Sequence, residues 1–422
     1  MREAHPMAYE LSQLRLEGME VKQFIDCQIC QKPGEHGELS FCAYVDENVF
    51  EEVESFQALR LYVEGAQEKT LFCGILTEME EESAGEVQKI HVIVKSYTYL
   101  LDIEKKSRTF QDIHMTYSQL LHKVLNAYRD ADCIIAMEDQ PIGEFVVQYQ
   151  ETDWEFLKRI LSQIYMPLSG EVWIPAIRIY AGVPVLEDSL QDIELKEIVQ
   201  DFEYCDKLKE MGYEIHNADG IYCIAETKQF CGLFASCYLY GKPLLVGHFK
   251  VYFAQGFFKI AVVLKSRKGI VEIPRFPMQL VGLALEGKVL AVKGESVRLH
   301  FSLDGNDSKD VYWFPYSTPS SSPDGSGWYY MPEVGDCLRV YFPTKHMKDV
   351  LAISAVSSYK GKDGPDRMAD PRTKYLRTAS GQEMNLSEKG TYLASSKDAA
   401  SLFLGNDGKI VIKGQQVELI AD

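Results

Sequence analysis

The sequence predicts a mainly β protein, a β-rich α+β chain built from several small sheets. Two observations carry this reading: apolar and polar residues alternate at every second position in many short runs, and helical patterning is confined to two places. A third sets the number of parts. The chain has 422 residues, more than one domain of roughly 100–200 residues, and its 46% hydrophobic content is enough for more than one core.

The clearest strand run is "EVQKIHVIVKSYTYLL" (86–101), where Ile90, Val92 and Val94 share a face. Similar runs occupy 59–64, 144–149, 237–240, 257–264, 288–292 and 296–301. The two helices announce themselves at their starts. Thr116 stands three residues before Gln119, and Thr152 three before Glu155, so each hydroxyl can cap an early N–H while the longer side chain reaches back. The stripes behind them, Leu120, Leu121, Val124, Leu125 and Tyr128, then Trp154, Leu157, Ile160, Leu161 and Ile164, read as core packing. Pro167 limits the second helix.

Texture divides the chain into four. Residues 1–275 form the first part, and two prolines in "VEIPRFPMQLVG" (271–282) mark its end. Five or so strands follow in 276–358, including a hairpin at Lys293-Gly294, which suits a small closed OB-type barrel. A polar, glycine-rich linker covers 359–371. From 372 to 422, Met384/Leu386, Leu402/Leu404, Ile410/Ile412 and Val417/Leu419 each show the two-residue period, the last two pairs flanking a turn at Lys413-Gly414-Gln415. A run this short, below roughly 55 residues and without disulfides, builds no private core, so another polypeptide must supply its second layer.

Charge and cysteine usage narrow the function. A formal net charge of −18 repels nucleic-acid backbones and anionic membranes at long range, so no nucleic-acid partner is expected. The start, "MREAHPMAYELSQLRLEGMEVKQF", places charges where a signal peptide needs an apolar core, and synthesis in a cytoplasm without a signal peptide is expected. Ten dispersed cysteines read as free buried thiols.

No catalytic, cofactor or metal site is expected. Cys27 and Cys30 form a lone CxxC on a strand, where residues three apart point to opposite faces. "DGNDSKD" (304–310) fails the calcium-loop pattern, with Lys309 where Gly is required and Pro315 where Glu is required, and reads as a solvated loop. His114 and His122 stand eight apart, and HExxH, GxSxG, P-loop and GxGxxG patterns are absent from the sequence.

Four stretches together resemble one family. "SYTYLLDIEKKSRTFQDIHMTYSQLL" (96–121), "VVQYQETDWEFLKRILSQI" (146–164), "YWFPYSTPSSSPDGSGWYYMPEVGDCLRVYFP" (312–343) and "KYLRTASGQEMNLSEKG" (374–390) are similar to VgrG-type hub-and-spike proteins of contractile injection systems, which include phage late-control baseplate hubs, type VI secretion spikes and phage-tail-like particle spikes. The resemblance implies a hub of two similar barrel-like subdomains with helical insertions, an OB-fold, and the start of an intertwined three-chain β-helix or prism. No clear internal repeat is visible, so that duplication rests on the resemblance. It also implies a homotrimer whose interface includes Met384, Leu386, Leu402, Leu404, Ile410, Ile412, Val417 and Leu419. The implied partners are an inner tube protein, baseplate proteins, a PAAR-type tip protein and effector cargo, in a particle or phage tail assembled in a bacterium and delivered outside on contraction. The short linker leaves no room for an inserted lysozyme domain. The rival readings are a tail-associated cell-wall hydrolase and a receptor-binding or adhesin module, and neither has a supporting motif.

Overall fold

The alternating runs pair into sheets almost wherever they occur. A computed structural model describes residues 9–46, 49, 53–64, 68–84, 87–254, 257–305, 309–355, 370–418 and 420. Among these, the chain separates into two compact units. The first comprises 1–283, 303–312 and 342–350, and the second 284–302, 313–341 and 351–422.

Strand labels run in chain order. The first unit opens with β1 (Leu14–Glu17), β2 (Gln23–Gln31), β3 (Glu38–Val45), β4 (Ala58–Val63), β5 (Lys69–Ala84) and β6 (Val87–Ser96). Later come β12 (Ser189–Leu190), β13 (Ile193–Gln200), β14 (Ile221–Thr227), β15 (Ser236–Leu239), β16 (Lys242–Ala254) and β17 (Phe257–Lys265). All twelve join one sheet, and their order reveals a duplication. The first six pair as β1-β4-β5-β6-β3-β2, and the second six repeat that order as β12-β15-β16-β17-β14-β13. One pairing differs in sense, since β1–β4 is antiparallel and β12–β15 parallel.

The duplication is written in the sequence too, faintly. "IHVIVKS" (90–96) and "IAVVLKS" (260–266) match at Ile90 and Ile260, Val92 and Val262, Lys95 and Lys265, and Ser96 and Ser266. Both serines stand at the N-cap of a short 3-10 helix. The strand expected to run through 101 therefore ends at Ser96, where this helix (Tyr97–Asp102) begins. One apolar cluster, with Ile29, Leu39, Phe72 and Phe249 at its fully buried centre, extends through both halves.

Between the halves lies an insertion with its own core. It contains β7 (Lys106–Phe110), α1 (Tyr117–Leu125), β8 (Asp132–Ala136), β9 (Val146–Glu151), α2 (Asp153–Ser162), β10 (Leu168–Gly170) and β11 (Arg178–Gly182). Both expected capping boxes form, Thr116 with Gln119 and Thr152 with Glu155. The stripes behind them pack together with Phe110, Val146 and Ile179. A third helix, α3 (Phe202–Glu210), capped by Asp201, was not expected from the sequence.

One sequence expectation holds here and one changes. Cys27 is buried and Cys30 half-buried on β2, as its alternation predicts. The segment 304–310 is not simply solvated: the Thr109 amide donates to Asp304 Oδ1 at 2.6 Å, and Gln111 Nε2 to Asp310 Oδ1 at 2.9 Å. Asp304 is held by β7 and Asp310 by the residue that follows it, while residues 306–308 lie outside the described residues.

The second unit holds two five-stranded sheets. One runs β20-β19-β18-β21-β22, from β18 (Ala284–Lys293), β19 (Ser296–Phe301), β20 (Trp313–Pro315), β21 (Cys337–Tyr341) and β22 (Leu351–Ile353). Val289, Leu299, Phe301, Phe314 and Val340 form its buried side. The other is a plain antiparallel meander of β23 (Lys374–Arg377), β24 (Glu383–Ser387), β25 (Gly390–Ala394), β26 (Ser401–Gly405) and β27 (Ile410–Lys413). The long loop between β20 and β21 holds the meander's first strand. Tyr330 donates its hydroxyl to Arg377 O at 2.6 Å, and Glu333 accepts from the Ala379 amide at 3.0 Å.

Candidate assembly surface

Sheet register decides which side chains of the meander share a face. In antiparallel pairs, directly opposed residues point the same way. Leu376 opposes Met384, Met384 opposes Leu393, Leu393 opposes Leu402, and Leu402 opposes Ile412. The neighbouring row runs Lys374, Leu386, Thr391, Leu404 and Ile410. One face is therefore apolar from edge to edge, and it is the more open of the two. Ile410 is 65% exposed and Ile412 57%, whereas Tyr375, Tyr392 and Phe403 on the reverse face are half-buried.

Six of the eight residues singled out from the sequence, Met384, Leu386, Leu402, Leu404, Ile410 and Ile412, come together on this face. Two equivalent residues, Leu376 and Leu393, were missed, because β23 and β25 each carry only one apolar residue in phase. The expected hairpin after Lys413 does not form. Residues 416–418 are not strand, and β27 pairs with β26 instead. Val417 nevertheless lines a cleft of 650 Å³ with Leu376, Met384, Leu393, Leu402 and Ile412, while Leu419 lies outside the described residues. Gly390 fixes the register: at φ +141° its backbone approaches β26 so closely that a Cβ would meet Leu404 O at 2.1 Å.

The polar residues of 151–159 hold the insertion together. The Asp153 carboxylate, fully buried at the start of α2, receives Lys106 at 2.7 Å, Arg108 at 2.6 Å, Tyr128 at 2.7 Å and Gln148 at 3.0 Å. Burial alone pushes this carboxyl up, but those four partners outweigh it and hold it below the ordinary aspartate range. Arg159 forms a two-pronged pair with Glu151, both contacts 2.7 Å, and also donates to Val147 O.

One hydrogen-bonded relay has the outline of nucleophilic chemistry. His36 Nδ1 lies 2.9 Å from Thr98 Oγ1, and its Nε2 lies 3.2 Å from Asp102. The Thr98 hydroxyl is fully buried, so no substrate carbonyl can approach it. Cys30 Sγ lies 3.3 Å from His248 Nε2, but burial pushes its thiol up, away from the nucleophilic thiolate. Among the described residues, no three His, Cys, Asp or Glu are grouped to hold a metal ion, and no helix is long and apolar enough to cross a membrane.

This β architecture has known relatives. Residues 56–164 match the family model of the phage tail baseplate hub (GPD). Among solved structures the chain is similar to the E. coli c3393 protein, described as a type VI secretion component with structural similarity to the T4 bacteriophage tail proteins gp27 and gp5. That match has a TM-score of 0.60 at 13% identity and covers 82% of this chain and 99% of that one. A chain of the lidded Francisella PdpA–VgrG complex matches with TM-score 0.55 at 10% identity, covering 95% of this chain and 79% of that one. A chain of the lidless PdpA–VgrG complex gives 0.53 at 10% identity, over 92% and 93%. No curated protein matches the sequence. The fold thus falls in the class of tail and secretion-system hubs. In particular it is similar to that of the VgrG-complex chains, and residues 56–164 match the baseplate-hub family model.

Proposed function

We propose that this chain is the structural, non-enzymatic hub and spike of a contractile injection machine, acting as a homotrimer. The observation that carries this reading is the bare apolar face of the β23–β27 meander. A row such as Leu376, Met384, Leu393, Leu402 and Ile412 is stable in water only when a second layer covers it. A second and third copy of the same sheet, arranged about one axis, supply that layer with matching chemistry. The first unit then serves as the hub beneath an inner tube protein, the five-stranded sheet of 284–353 as an OB-type collar, and 372–422 as a short stiff spike capped by a PAAR-type tip protein. Its place is an assembled particle or phage tail, with baseplate proteins around it and effector cargo attached. Force from sheath contraction is concentrated on the narrow end.

Sedimentation of the full chain tests this. Three times the monomer mass is expected, falling to the monomer mass when Leu404 and Ile412 are both replaced by Asp, with the hub's thermal transition unchanged. A stable monomer whose meander remains folded overturns the reading.

A further inference from the structure

The two halves of the duplicated sheet share their strand order but not what covers them. In the first half, residues 171–173, which link β10 to β11 in the insertion, lie against β5 and the start of β3. Val172 is fully buried there and belongs to the sheet's own apolar cluster. Its carbonyl accepts from the Cys73 amide at 2.6 Å, and the Cys73 thiol donates to Trp173 O at 3.4 Å. Gly37 leaves the room, since a Cβ at that position would meet Val172 Cγ1 at 2.3 Å.

Register locates the same place in the second half. Lys95 stands between Glu38 and Ile75, and its match Lys265 stands between Tyr222 and Leu245. Counting from these rows, Gly37 corresponds to Ile221, Cys73 to Pro243, Gly74 to Leu244 and, through β4 and β15, Leu59 to Cys237. A shared backbone bond fixes the match: Leu76 donates to Gln57 O and Val246 to Ala235 O, both at 2.9 Å. Ile221, Cys237, Pro243 and Leu244 all line one cleft of 810 Å³. Its floor includes buried Cys223 and Phe234, while Val185, Tyr238 and Tyr240 on its rim are 87%, 74% and 77% exposed. The second half has no counterpart of the insertion to cover it. After the second 3-10 helix (Arg267–Gly269) the chain runs instead to Val271 and Ile273, which pack against Cys205, Leu208 and Ile215.

We infer that this cleft is a docking site for an extended segment of a different polypeptide, one that sets aliphatic or aromatic side chains beside a carboxylate. The filled cleft of the first half is the template, because Glu171, Val172 and Trp173 are an acid, an aliphatic and an aromatic residue in succession. A second copy has no such segment to spare, since its own is buried in its own first half. Charge points to the same occupant. Lys242, Arg267 and Lys268 line the cleft together with Asp219, and Arg267 donates to the carbonyls of Val183 and Pro184. In a chain of net charge −18, cations around an apolar floor select an acidic, apolar segment. Two differences set how it is held. Pro243 has no N–H to repeat the Cys73 bond, and Ile221 and Leu244 stand where Gly37 and Gly74 leave space, so the occupant lies shallower and is gripped by side chains. The inference rests on the duplication and not on the three-copy reading.

Fluorescence anisotropy of a labelled peptide, Ser-Gly-Glu-Val-Trp-Ile-Pro, titrated with the full chain tests the docking site. Binding is expected with a Kd below about 1 mM. Replacing the peptide's Glu by Lys is expected to weaken it about ten-fold. Tyr238→Asp and Lys268→Glu, both at exposed positions of the cleft, are each expected to weaken it about ten-fold while the thermal transition stays unchanged. Failure to bind at about 1 mM, or binding that both substitutions leave unchanged, overturns the site. Binding by the Leu404→Asp, Ile412→Asp monomer but not by the assembled chain places a second copy in the cleft and overturns it as well. A chain that stays monomeric yet binds the peptide as expected upholds the site and overturns only the three-copy reading.

Discussion

β2 in the hub and β24 in the terminal meander alternate apolar and polar residues in the same way, yet their apolar faces meet opposite fates. Cys27 and Ile29 on β2 are fully buried, while Met384 and Leu386 on β24 remain 42% and 43% exposed. Strand chemistry is shared, and the difference lies in what stacks above it. The first unit supplies its own second layer and the described residues of the meander do not, so the same pattern makes a core in one place and an open apolar face in the other.

The contrast can be broken by mutation. The largest effects belong to the hub unit and its insertion. Arg159→Met leaves the Glu151 carboxylate buried without its partner and is expected to cost about 3–5 kcal/mol, measurable by urea unfolding. Phe41→Ala, which empties a fully buried site on β3, is expected to cost a similar ~3–5 kcal/mol. Leu404→Ala, by contrast, is expected to change the dilute monomer by no more than about 0.5 kcal/mol and to show its effect only as weakened assembly. Thr152→Ala removes the α2 cap and is expected to cost about 1 kcal/mol, seen as a lower thermal midpoint.

The smallest effect sharpens the hub side through pH. Burial pushes the His36 imidazole down, more strongly than its bond to Asp102 raises it, so the folded protein takes up that proton less readily than the unfolded chain. The unfolded chain takes up that proton below a pH of about 6.5. The resulting stability is complete above that value and declines as the pH falls below it. His36→Gln is expected to flatten this decline between pH 7 and pH 5 in thermal melts, and an unchanged slope would reject the assignment.

Legibility in the sequence followed the range of the interaction. α1 and α2 were readable because a capping box is complete within four residues. α3 was not, because Asp201 caps it without a box and only Cys205 and Leu208 of its stripe are buried. The duplication rested on the resemblance and was not legible from the residues themselves, because few identities survive, most of them between β6 and β17, while the halves share chiefly their strand order. On the meander, Leu376 and Leu393 are single apolar residues in short strands and only register places them in the row. Val417 was given a strand by its alternation with Leu419, although nothing beyond Lys413 offers it a ladder.

The open meander face also sets a kinetic problem before assembly. Newly made chains bearing Ile410 and Ile412 in water stick to whatever apolar surface they meet first, and the rate rises with their concentration. A net charge of −18 slows every such encounter between identical chains at long range, the correct one included. Salt shortens the charge's reach to about 8 Å at physiological strength. In the proposed assembly, the ionic content of the surrounding fluid would therefore act as a clock, governing how long a lone chain waits before committing to its neighbours.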